Sequence, residues 1–469
     1  MRKKNLFAMA ALASSMLFAA CSNDELPVND GTVDNGEKSW VGLNITLPST
    51  ALSRAATGDP SAEAFEANIK EVDIYLQNAF GAPTLLKSLT DGDFTKDASG
   101  KWVANEAMEV SLAPGTSATF FAAVNAPGTP AIQPIWFINP DADKARSFEA
   151  ATSVLSNQAN GFTMFGTTTT TTYEKQADAE TAANHTKLDA IRAVAKILVM
   201  GSNGGINPTV DFEDGVKSGK FAANTLKWAI GNNNKKLFLL KDVNGKDPNW
   251  EKLPVGVTDA VLNAEYENRV PTTFPKAVPA FSATIQATGY DGATGYVQYC
   301  NENTNEIYQY GNTTYLSLTA DFVPNKIVKA TGVSGTVVGG DLALTVSDNT
   351  GATATTFYYY AKDQKYLEKD AYDAAITAGL TANDFMGPYK DGQCYYYVAV
   401  RNGDKDSNMG VYRNSYYQAR IKSLKAPGLP TPQPPTVDDE TPVEESSWIA
   451  IDFDVKAWTP ADMGDLDLE

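Results

Sequence analysis

Short stretches in which apolar and polar residues alternate occur along most of the chain. The earliest is the segment 41–47, called here the first strand, in which Val41, Leu43, Ile45 and Leu47 alternate with small or polar residues. Alternation with a period of two and one apolar face predicts a half-buried β-strand. Similar segments recur at 69–76, 118–125, 226–230, 236–240, 314–322 and 395–400, and 188–200 is a longer apolar run. Short strands separated by Asn- and Gly-rich turns predict an all-β chain of β-sandwiches.

Other local patterns fit around these strands. Asp97–Gly100 predicts a hairpin turn, and Thr167–Thr172 predicts a β-prone surface strand or loop. The Ala-rich segments 141–158 and 365–385 predict short helices that connect strands. With 469 residues, the chain is long enough for two or three domains. A change of strand series near residue 185 predicts a boundary there, within about fifteen residues.

The N-terminus carries an export signal. Arg2, Lys3 and Lys4 precede an apolar run at 6–20, which has the length of a signal-peptide core and is too short to span a bilayer comfortably. Small residues at 19–20 precede Cys21, as in a bacterial lipobox, where the cysteine is acylated and becomes the new N-terminus. The alternative is an ordinary signal peptide with a chance cysteine. No later segment is long and apolar enough to cross a membrane.

The C-terminal end carries a strand beyond a stiff linker. Residues 427–442 contain six prolines, so this linker is expected to be extended and to stay outside any sheet. Beyond it lies the segment Trp448–Trp458, called here the tail strand. Its inward-facing apolar positions are Ile449, Ile451, Phe453 and Val455, with a tryptophan at each end. No neighbouring segment in the sequence offers it a partner.

The first strand and the tail strand share one pattern of four alternating apolar positions. A single strand is unstable in water, and an open edge promotes aggregation. Both segments are therefore interpreted as guests for one kind of groove. In this interpretation the first strand fills its own groove, a cut after Arg54 releases it, and the tail strand of another copy enters. Such a head-to-tail contact does not close and grows a filament.

Charge and candidate chemistry narrow the function further. The 38 basic and 56 acidic residues give a net charge of −18, which makes nucleic acid an unlikely partner. The single histidine, His185, lies in a polar stretch without partners for a zinc site or a catalytic triad. Asp91 and Asp93 lack the remaining positions of a calcium loop, and no P-loop or dinucleotide motif occurs. No cofactor, metal site or catalytic residue is predicted.

Two further groups leave alternatives open. Cys300 and Cys394 are compatible with a disulfide in an oxidising compartment or with two buried free thiols. The aromatic clusters at 357–360 and 395–397 are compatible with a sugar site, although a strand with one face in the core and one solvated is the more ordinary origin of such a pattern.

Several stretches together resemble the type V fimbrillins of the Bacteroidales, most closely the shaft subunits of minor fimbria. They are the lipobox at Cys21, the Arg54-Ala55 junction, 190–196, 226–230 with 236–240, 312–316, 395–397, 411–421, the Pro-rich linker and the tail strand. The resemblance implies two transthyretin-like Greek-key β-sandwiches. It also implies acylation at Cys21, cleavage between Arg54 and Ala55 by an arginine-specific protease, and donor-strand exchange through the tail strand.

The implied organisation divides the chain into six segments. They are a signal peptide (1–20), a lipidated propeptide with the removable first strand (21–54), two sandwiches (55–185 and 186–426), a linker (427–447) and the donor segment (448–469). The expected function is that of a fimbrial shaft subunit, anchored in the outer membrane as a lipidated precursor and exposed on the fimbrium when mature. Expected partners are copies of itself, anchor and tip subunits, the protease and surface ligands on host or bacterial cells. The alternative is a tip or accessory adhesin, or a glycan-binding surface lipoprotein.

Overall fold

The structure is a computed structural model. It describes residues 38–47, 64–77, 81–97, 101–138, 147–206, 209–210, 219–242, 245–292, 294–401, 409–432, 439–440, 442–443 and 449–457. Most of the regular structure is β, with few short helices, so the predicted all-β sandwich class is confirmed.

The first unit is built mainly from one large sheet. Its strands are β1 (Ser39–Val41), β2 (Leu43–Thr46), β3 (Glu71–Gln77), β4 (Thr84–Thr90), β5 (Phe94–Lys96), β6 (Trp102–Ala104), β7 (Met108–Val110), β8 (Ser117–Val124), β9 (Phe148–Glu149), β10 (Met164–Thr171) and β11 (Thr186–Arg192). The eight-stranded sheet has the order β4-β3-β8-β10-β11-β2-β6-β5, and β1 pairs separately with β7. The predicted strands at 41–47, 69–76 and 118–125, the strand option for the threonine run and the hairpin around Asp97–Gly100 are confirmed.

Short helical segments connect these strands. They are α1 (Thr152–Leu155), α2 (Gln176–Ala179) and the 3₁₀ turns Ala64–Ala67, Asp91–Asp93, Pro134–Phe137 and Ala182–Asn184. The core beneath the large sheet is lined by residues that are almost fully buried, including Val72, Ile74, Phe120, Phe148 and Phe165. The inward positions of β2 belong to this same core.

The second unit begins at Ala193. Its elements up to residue 324 are β12 (Val194–Gly201), β13 (Thr209–Val210), β14 (Gly219–Phe221), β15 (Lys227–Gly231), β16 (Asn233–Asn234), β17 (Lys236–Leu237), α3 (Asp259–Glu265), β18 (Tyr266–Glu267), β19 (Lys276–Ala277), α4 (Ala283–Thr288), β20 (Tyr290–Asp291), β21 (Thr294–Gly295), β22 (Val297–Asn301) and β23 (Tyr315–Pro324), with a 3₁₀ turn at Ala223–Thr225. A second core forms around Trp228, Leu316 and Leu318.

A smaller third layer follows. It consists of β24 (Lys326–Val338), β25 (Asp341–Asp348), β26 (Phe357–Tyr360), β27 (Lys365–Glu368), α5 (Lys369–Thr377) and β28 (Phe385–Tyr389), with the sheet order β25-β24-β27-β26-β28 and 3₁₀ turns at Ala382–Asp384 and Lys390–Gly392. Ala371 and Ala375, one helical turn apart, are buried against this sheet, which explains the Ala-rich pattern. The predicted helix within 365–385 is confirmed as α5, whereas a separate third core was not predicted.

The chain then returns to the second unit through β29 (Gln393–Ala399), β30 (Ser415–Leu424) and β31 (Ile449–Ala457). One sheet has the order β22-β12-β30-β31, and the opposing sheet has the order β13-β14-β23-β15-β19, with β29 also paired to β23. The triple tyrosine at 395–397 follows the expected alternation, since Tyr396 is buried and its two neighbours are half-buried.

The change of sheet at Ala193 lies within the range predicted for the boundary near 185, while the limits of two predicted segments differ from the structure. The segment Thr186–Arg192, assigned above to the second sandwich, pairs with β10 and β2 in the first sheet. The apolar run 188–200 is longer than an ordinary strand, and it divides at Ala193 into one strand of each unit. The predicted strand 236–240 is regular only over Lys236–Leu237, where it pairs with β9 and so links the two units.

Candidate functional site: the first strand and its groove

The first strand lies inside the sheet of the first unit. β1, Gly42, β2 and Leu47 form one continuous extended segment, so the first strand begins at Ser39, two residues before the predicted start. Val41, Leu43, Ile45 and Leu47 are at most 5% exposed and contact the core. The predicted inward face of the first strand is therefore confirmed.

Partners flank the first strand on both sides. Leu43–Thr46 pairs in parallel with Thr186–Asp189 of β11, and Asn44 and Ile45 pair antiparallel with β6. Nearer the N-terminal end, Trp40 is paired with Glu109 on one side and exchanges two backbone hydrogen bonds of 2.8 and 2.9 Å with Tyr173 on the other. The slot that this segment occupies, between β11 and β6, is called here the groove. If the segment left, the groove would have unpaired backbone on both walls and an apolar floor.

Gly42 marks the narrowest point of the groove. Its carbonyl oxygen accepts a hydrogen bond from the Thr186 N–H at 2.8 Å. A Cβ atom at this position would lie 2.1 Å from the carbonyl oxygen of Ala179 and 2.6 Å from the ring of His185. Backbone approach this close requires the absence of a side chain or a shift of the neighbouring segment. His185, whose Nε2 lies 3.1 Å from the Glu180 carbonyl oxygen, is thus part of the groove wall.

The tail strand pairs within its own chain. Ile449–Ala457 forms β31, which runs antiparallel to β30 from the pair Leu424–Ile449 to the pair Ser415–Ala457. Among the strands that the structure describes, it lies at the edge of its sheet and has a neighbour on one side only. The expectation that no neighbouring segment in the sequence offers it a partner was wrong, because it pairs with β30, the strand just before the linker.

The linker also contacts the domain surface. Leu429 exchanges backbone hydrogen bonds of 2.9 and 2.8 Å with Tyr395. Further along, the Asp439 carboxylate accepts a hydrogen bond from Arg269 at 2.8 Å, and its backbone carbonyl accepts one from the Gly311 N–H at 2.9 Å. The Glu440 carboxylate accepts from the backbone N–H groups of Gly256 and Val257. The linker is thus held on the domain surface at 429 and again at 439–440.

A buried ion pair holds the segment that follows the predicted cleavage site. The carboxylate of Glu66, in the turn Ala64–Ala67, accepts from the Lys196 Nζ at 2.9 and 3.1 Å and from the Tyr299 hydroxyl at 2.6 Å. Both ion-pair side chains are fully buried. The Arg192 Nε donates to the Glu66 backbone oxygen at 2.8 Å. Burial, together with the Glu66 carboxylate, raises the pKa of Tyr299, which keeps its hydroxyl a donor. This cluster joins the first unit to β12 and β22 of the second.

Several predicted positions fall outside the described residues. Cys21, Arg54, Ala55, Trp448 and Trp458 are among them, so acylation, cleavage and the two flanking tryptophans stay predictions. The backbone of Ile449, Ile451, Phe453 and Val455 is described as part of β31. Within the described part of the chain, His, Cys, Asp and Glu residues form no group suited to a metal ion. In that same part, none of the helices combines the length and the apolar character that a membrane span needs.

The two remaining cysteines are separate, buried thiols. Cys300 lies in β22 and Cys394 in β29, and neither is bonded to another cysteine. Of the two alternatives left open by the sequence, the structure has the free thiols. Burial raises the pKa of both thiols, so the reactive thiolate is disfavoured.

We expect both thiols to be unreactive in the folded protein. Mature protein treated with an aromatic disulfide reagent at pH 8 should release almost no chromophore until denaturant is added, and then two equivalents per chain. The absorbance of the released thiol measures this. A fast native reaction at either cysteine would contradict the burial described here.

A match to a known family falls on the region that contains the tail strand. Residues 388–463 match the family model described as "Major fimbrial subunit protein type IV, Fimbrillin, C-terminal". These residues include β29, β30 and β31. The C-terminal region of the chain is similar to this fimbrillin family. This match agrees with the resemblance inferred from the sequence, at the level of the family and for these residues.

Several solved bacterial proteins are similar to this chain. A fimbrilin from Porphyromonas gingivalis is 14% identical, with a TM-score of 0.46 over 90% of this chain and 98% of that one. A putative cell adhesion protein from Parabacteroides distasonis is 14% identical, with a TM-score of 0.44 over 90% and 100%. The tip fimbrial protein Mfa3 from P. gingivalis is 15% identical, with a TM-score of 0.34 over 90% and 100%. No curated protein matches the sequence.

The sequence did not predict the polar contacts that hold the parts of this chain together. Glu66 is separated from Lys196 by 130 positions, so no local pattern could indicate their pairing. Asn301 is fully buried, and its amide donates to the carbonyl oxygens of Ala150 and Asn234 at 3.0 and 2.7 Å. The density of asparagine at 232–234 and 301–305 was a signal, because buried amides can satisfy backbone groups that loops leave unpaired.

Proposed function

We propose that this chain is the shaft subunit of a cell-surface fimbrium and polymerises by donor-strand exchange. It is exported as a lipoprotein acylated at Cys21 and held in the outer membrane as a precursor. Cleavage between Arg54 and Ala55 by an arginine-specific protease releases the first strand. The tail strand of a neighbouring copy then fills the vacated groove. Anchor and tip subunits would end the filament, which presents surface ligand sites for adhesion.

The observation that carries this proposal is the number of partners that each strand position offers. At the edge of its own sheet the tail strand pairs with β30 alone. In the groove, the first strand pairs with β11 and β6 together, and its four apolar residues reach the core. A tail strand that moves from the first place to the second therefore gains a second ladder of backbone hydrogen bonds.

The energy available is sufficient for a persistent contact. Burial of four large apolar side chains contributes about 6–12 kcal/mol before ordering costs, at ~1.5–3 kcal/mol for each. The gain belongs to whichever strand occupies the groove, so an uncut first strand, which is covalently part of the subunit, excludes a competitor. Cleavage removes that advantage and makes exchange favourable.

Contacts of the segment after the cleavage site favour release of the first strand without loss of the rest of the N-terminal region. Glu66 is tied to Lys196 and Tyr299, and its backbone to Arg192, all in buried positions. The mature N-terminal region would therefore stay attached to the second unit while the first strand departs. The presence of an amphipathic tail strand favours a shaft subunit over a tip adhesin, because a tip accepts a strand without having to offer one.

The proposal is tested by cutting the purified precursor with an arginine-specific protease. We expect a new N-terminus at Ala55, followed by ladders of oligomers that resist SDS, because each joint buries an apolar strand. Mass spectrometry identifies the terminus, and electrophoresis without boiling with sedimentation detects the oligomers.

The matched control is Arg54→Ala, which should stay monomeric under the same protease because its first strand cannot leave. Monomers that persist after a complete cut at Arg54 would contradict the shaft assignment and favour the adhesin alternative. Ladders that form equally well from the Arg54→Ala protein would contradict activation by this cut.

A further inference from the structure

We infer that the tail strand enters a neighbour's groove in one register, in which Ser447–Val455 takes the positions of Ser39–Leu47. This inference rests on the proposed function, because it takes the tail strand as the incoming guest. It adds the alignment of guest and groove, and it identifies Ala450 as the residue that sets it.

The two guest sequences correspond position by position in this register. Residues 39–47 read Ser-Trp-Val-Gly-Leu-Asn-Ile-Thr-Leu, and residues 447–455 read Ser-Trp-Ile-Ala-Ile-Asp-Phe-Asp-Val. The first two residues are identical. The four apolar residues of each strand coincide, polar residues coincide between them, and the two smallest residues, Gly42 and Ala450, fall at the same place.

The groove explains why a small residue is needed at that place. A Cβ atom on residue 42 would meet the Ala179 carbonyl oxygen at 2.1 Å. That oxygen belongs to the last residue of the short helix α2, so the methyl group of Ala450 is accommodated only if this end of the helix moves outward. A larger side chain would require a larger displacement of backbone and of His185, which lies on the same side.

Other registers fail at this position. Because side chains alternate between faces, only shifts by an even number of residues keep the apolar side chains inward. A shift of two residues in one direction places Asp452 at the position of Gly42, and a shift in the other direction places Trp448 there. Either side chain is much larger than a methyl group. The register with Ala450 is the one that both fits the narrow point and keeps all four apolar residues inward.

The outward face of the groove offers the incoming charges one attractive and one repulsive partner. In this register Asp452 takes the place of Asn44, opposite Lys187, and Asp454 takes the place of Thr46, opposite Asp189. The Lys187 ammonium lies 3.1 Å from the Asp189 carboxylate and so weakens its repulsion of Asp454. Lys187 and Asp189 are about half exposed, so this charge arrangement has a small effect compared with the steric one.

Disulfide trapping tests the register. The variant Asp454→Cys/Asp189→Cys places two thiols at facing positions of adjacent strands, within the usual range for a disulfide. After cleavage at Arg54 and mild oxidation, we expect ladders that survive boiling in SDS and collapse to monomers on reduction. The matched variants Asp452→Cys/Asp189→Cys and Lys456→Cys/Asp189→Cys, shifted by two residues, should give at least about tenfold less covalent ladder. The uncut variant Thr46→Cys/Asp189→Cys should form the corresponding bond within one chain.

A steric variant gives an independent measurement. Ala450→Leu should lower the yield of SDS-resistant ladders at least about tenfold, because it overfills the narrow point. Ala450→Gly should polymerise as well as the unmodified chain, and so should Ala457→Leu, which alters an alanine beyond the matched segment. The uncut variants should unfold at the same denaturant concentration as the parent.

The outcomes separate the register from the proposed function. Covalent ladders through position 452 or 456 at equal or greater yield, or normal polymerisation of Ala450→Leu, would overturn the register while strand exchange stands. SDS-resistant ladders without a covalent bond in any of the three pairs would overturn it as well. Unmodified, fully cleaved protein that forms no ladders would overturn the proposed function itself.

Discussion

A chain that lacks residues 446–469 is expected to fold, to be cut after Arg54 and to remain unable to extend a filament. The deletion removes β31, an edge strand, while β30 keeps its neighbour β12. The groove is unaffected, so the shortened chain should accept a tail strand and offer none. Sedimentation and SDS-resistant ladders measure the result, and we expect complete loss of oligomers beyond the monomer.

An experiment that mixes the shortened chain with the full-length chain tests the same prediction more stringently. Added to cleaved full-length protein, the shortened chain should occupy one end of each growing filament and shorten the ladders in proportion to its amount. A chain that ends at Thr459 keeps the whole tail strand and serves as the matched control, with normal ladders expected. Filament growth by the 446–469 deletion would contradict the assignment of the tail as donor.

Loss of the buried charge at Lys196 should destabilise the protein more than loss of an exposed one. Lys196→Met leaves the carboxylate of Glu66 buried without its cation, and we expect the free energy of unfolding to fall by about 3–5 kcal/mol. Chemical denaturation followed by tryptophan fluorescence measures this change as a shift of the midpoint. Lys187→Met removes the cation of an exposed ion pair and is expected to cost below about 1 kcal/mol.

The double variant Glu66→Gln/Lys196→Met tests the cause. It removes both buried charges, so a large part of the lost stability should return, since an unpaired buried charge costs more than a neutral pair. Equal destabilisation by the single and double variants would show that packing at Lys196, rather than charge, accounts for the effect.

Much of the fold could be predicted from alternation alone. The first strand, β3, β8, β15, β23 and β29 follow from local apolar patterns because one face of each strand meets a core. The division of the run 188–200 could not be predicted, because no glycine or proline separates its halves and Arg192, just before the crossing at Ala193, is itself fully buried. The third layer was missed because its strands follow those of the second unit without a change of composition.

The sequence predicted which two segments would occupy the groove, but it did not predict which strands form the groove. The shared pattern of the first strand and the tail strand is visible in the sequence, whereas the identity of the groove walls depends on β6 and β11, which come from distant parts of the chain. The function of Gly42 was also hidden, because it depends on the position of the Ala179 carbonyl oxygen. Long-range contacts of this kind leave no local signature.

The flanking of the first strand by partners on both sides has a mechanical consequence for a filament. If the tail strand takes the same place, tension on the fibre acts along the length of the seated strand. Its backbone bonds cross the direction of pull, slanted towards β11 and perpendicular towards β6, and would be loaded in shear, all together. A strand held at a single edge can instead be peeled away one bond at a time. Joints of this design would let a thin fibre withstand flow while each subunit contributes only one short segment to its neighbour.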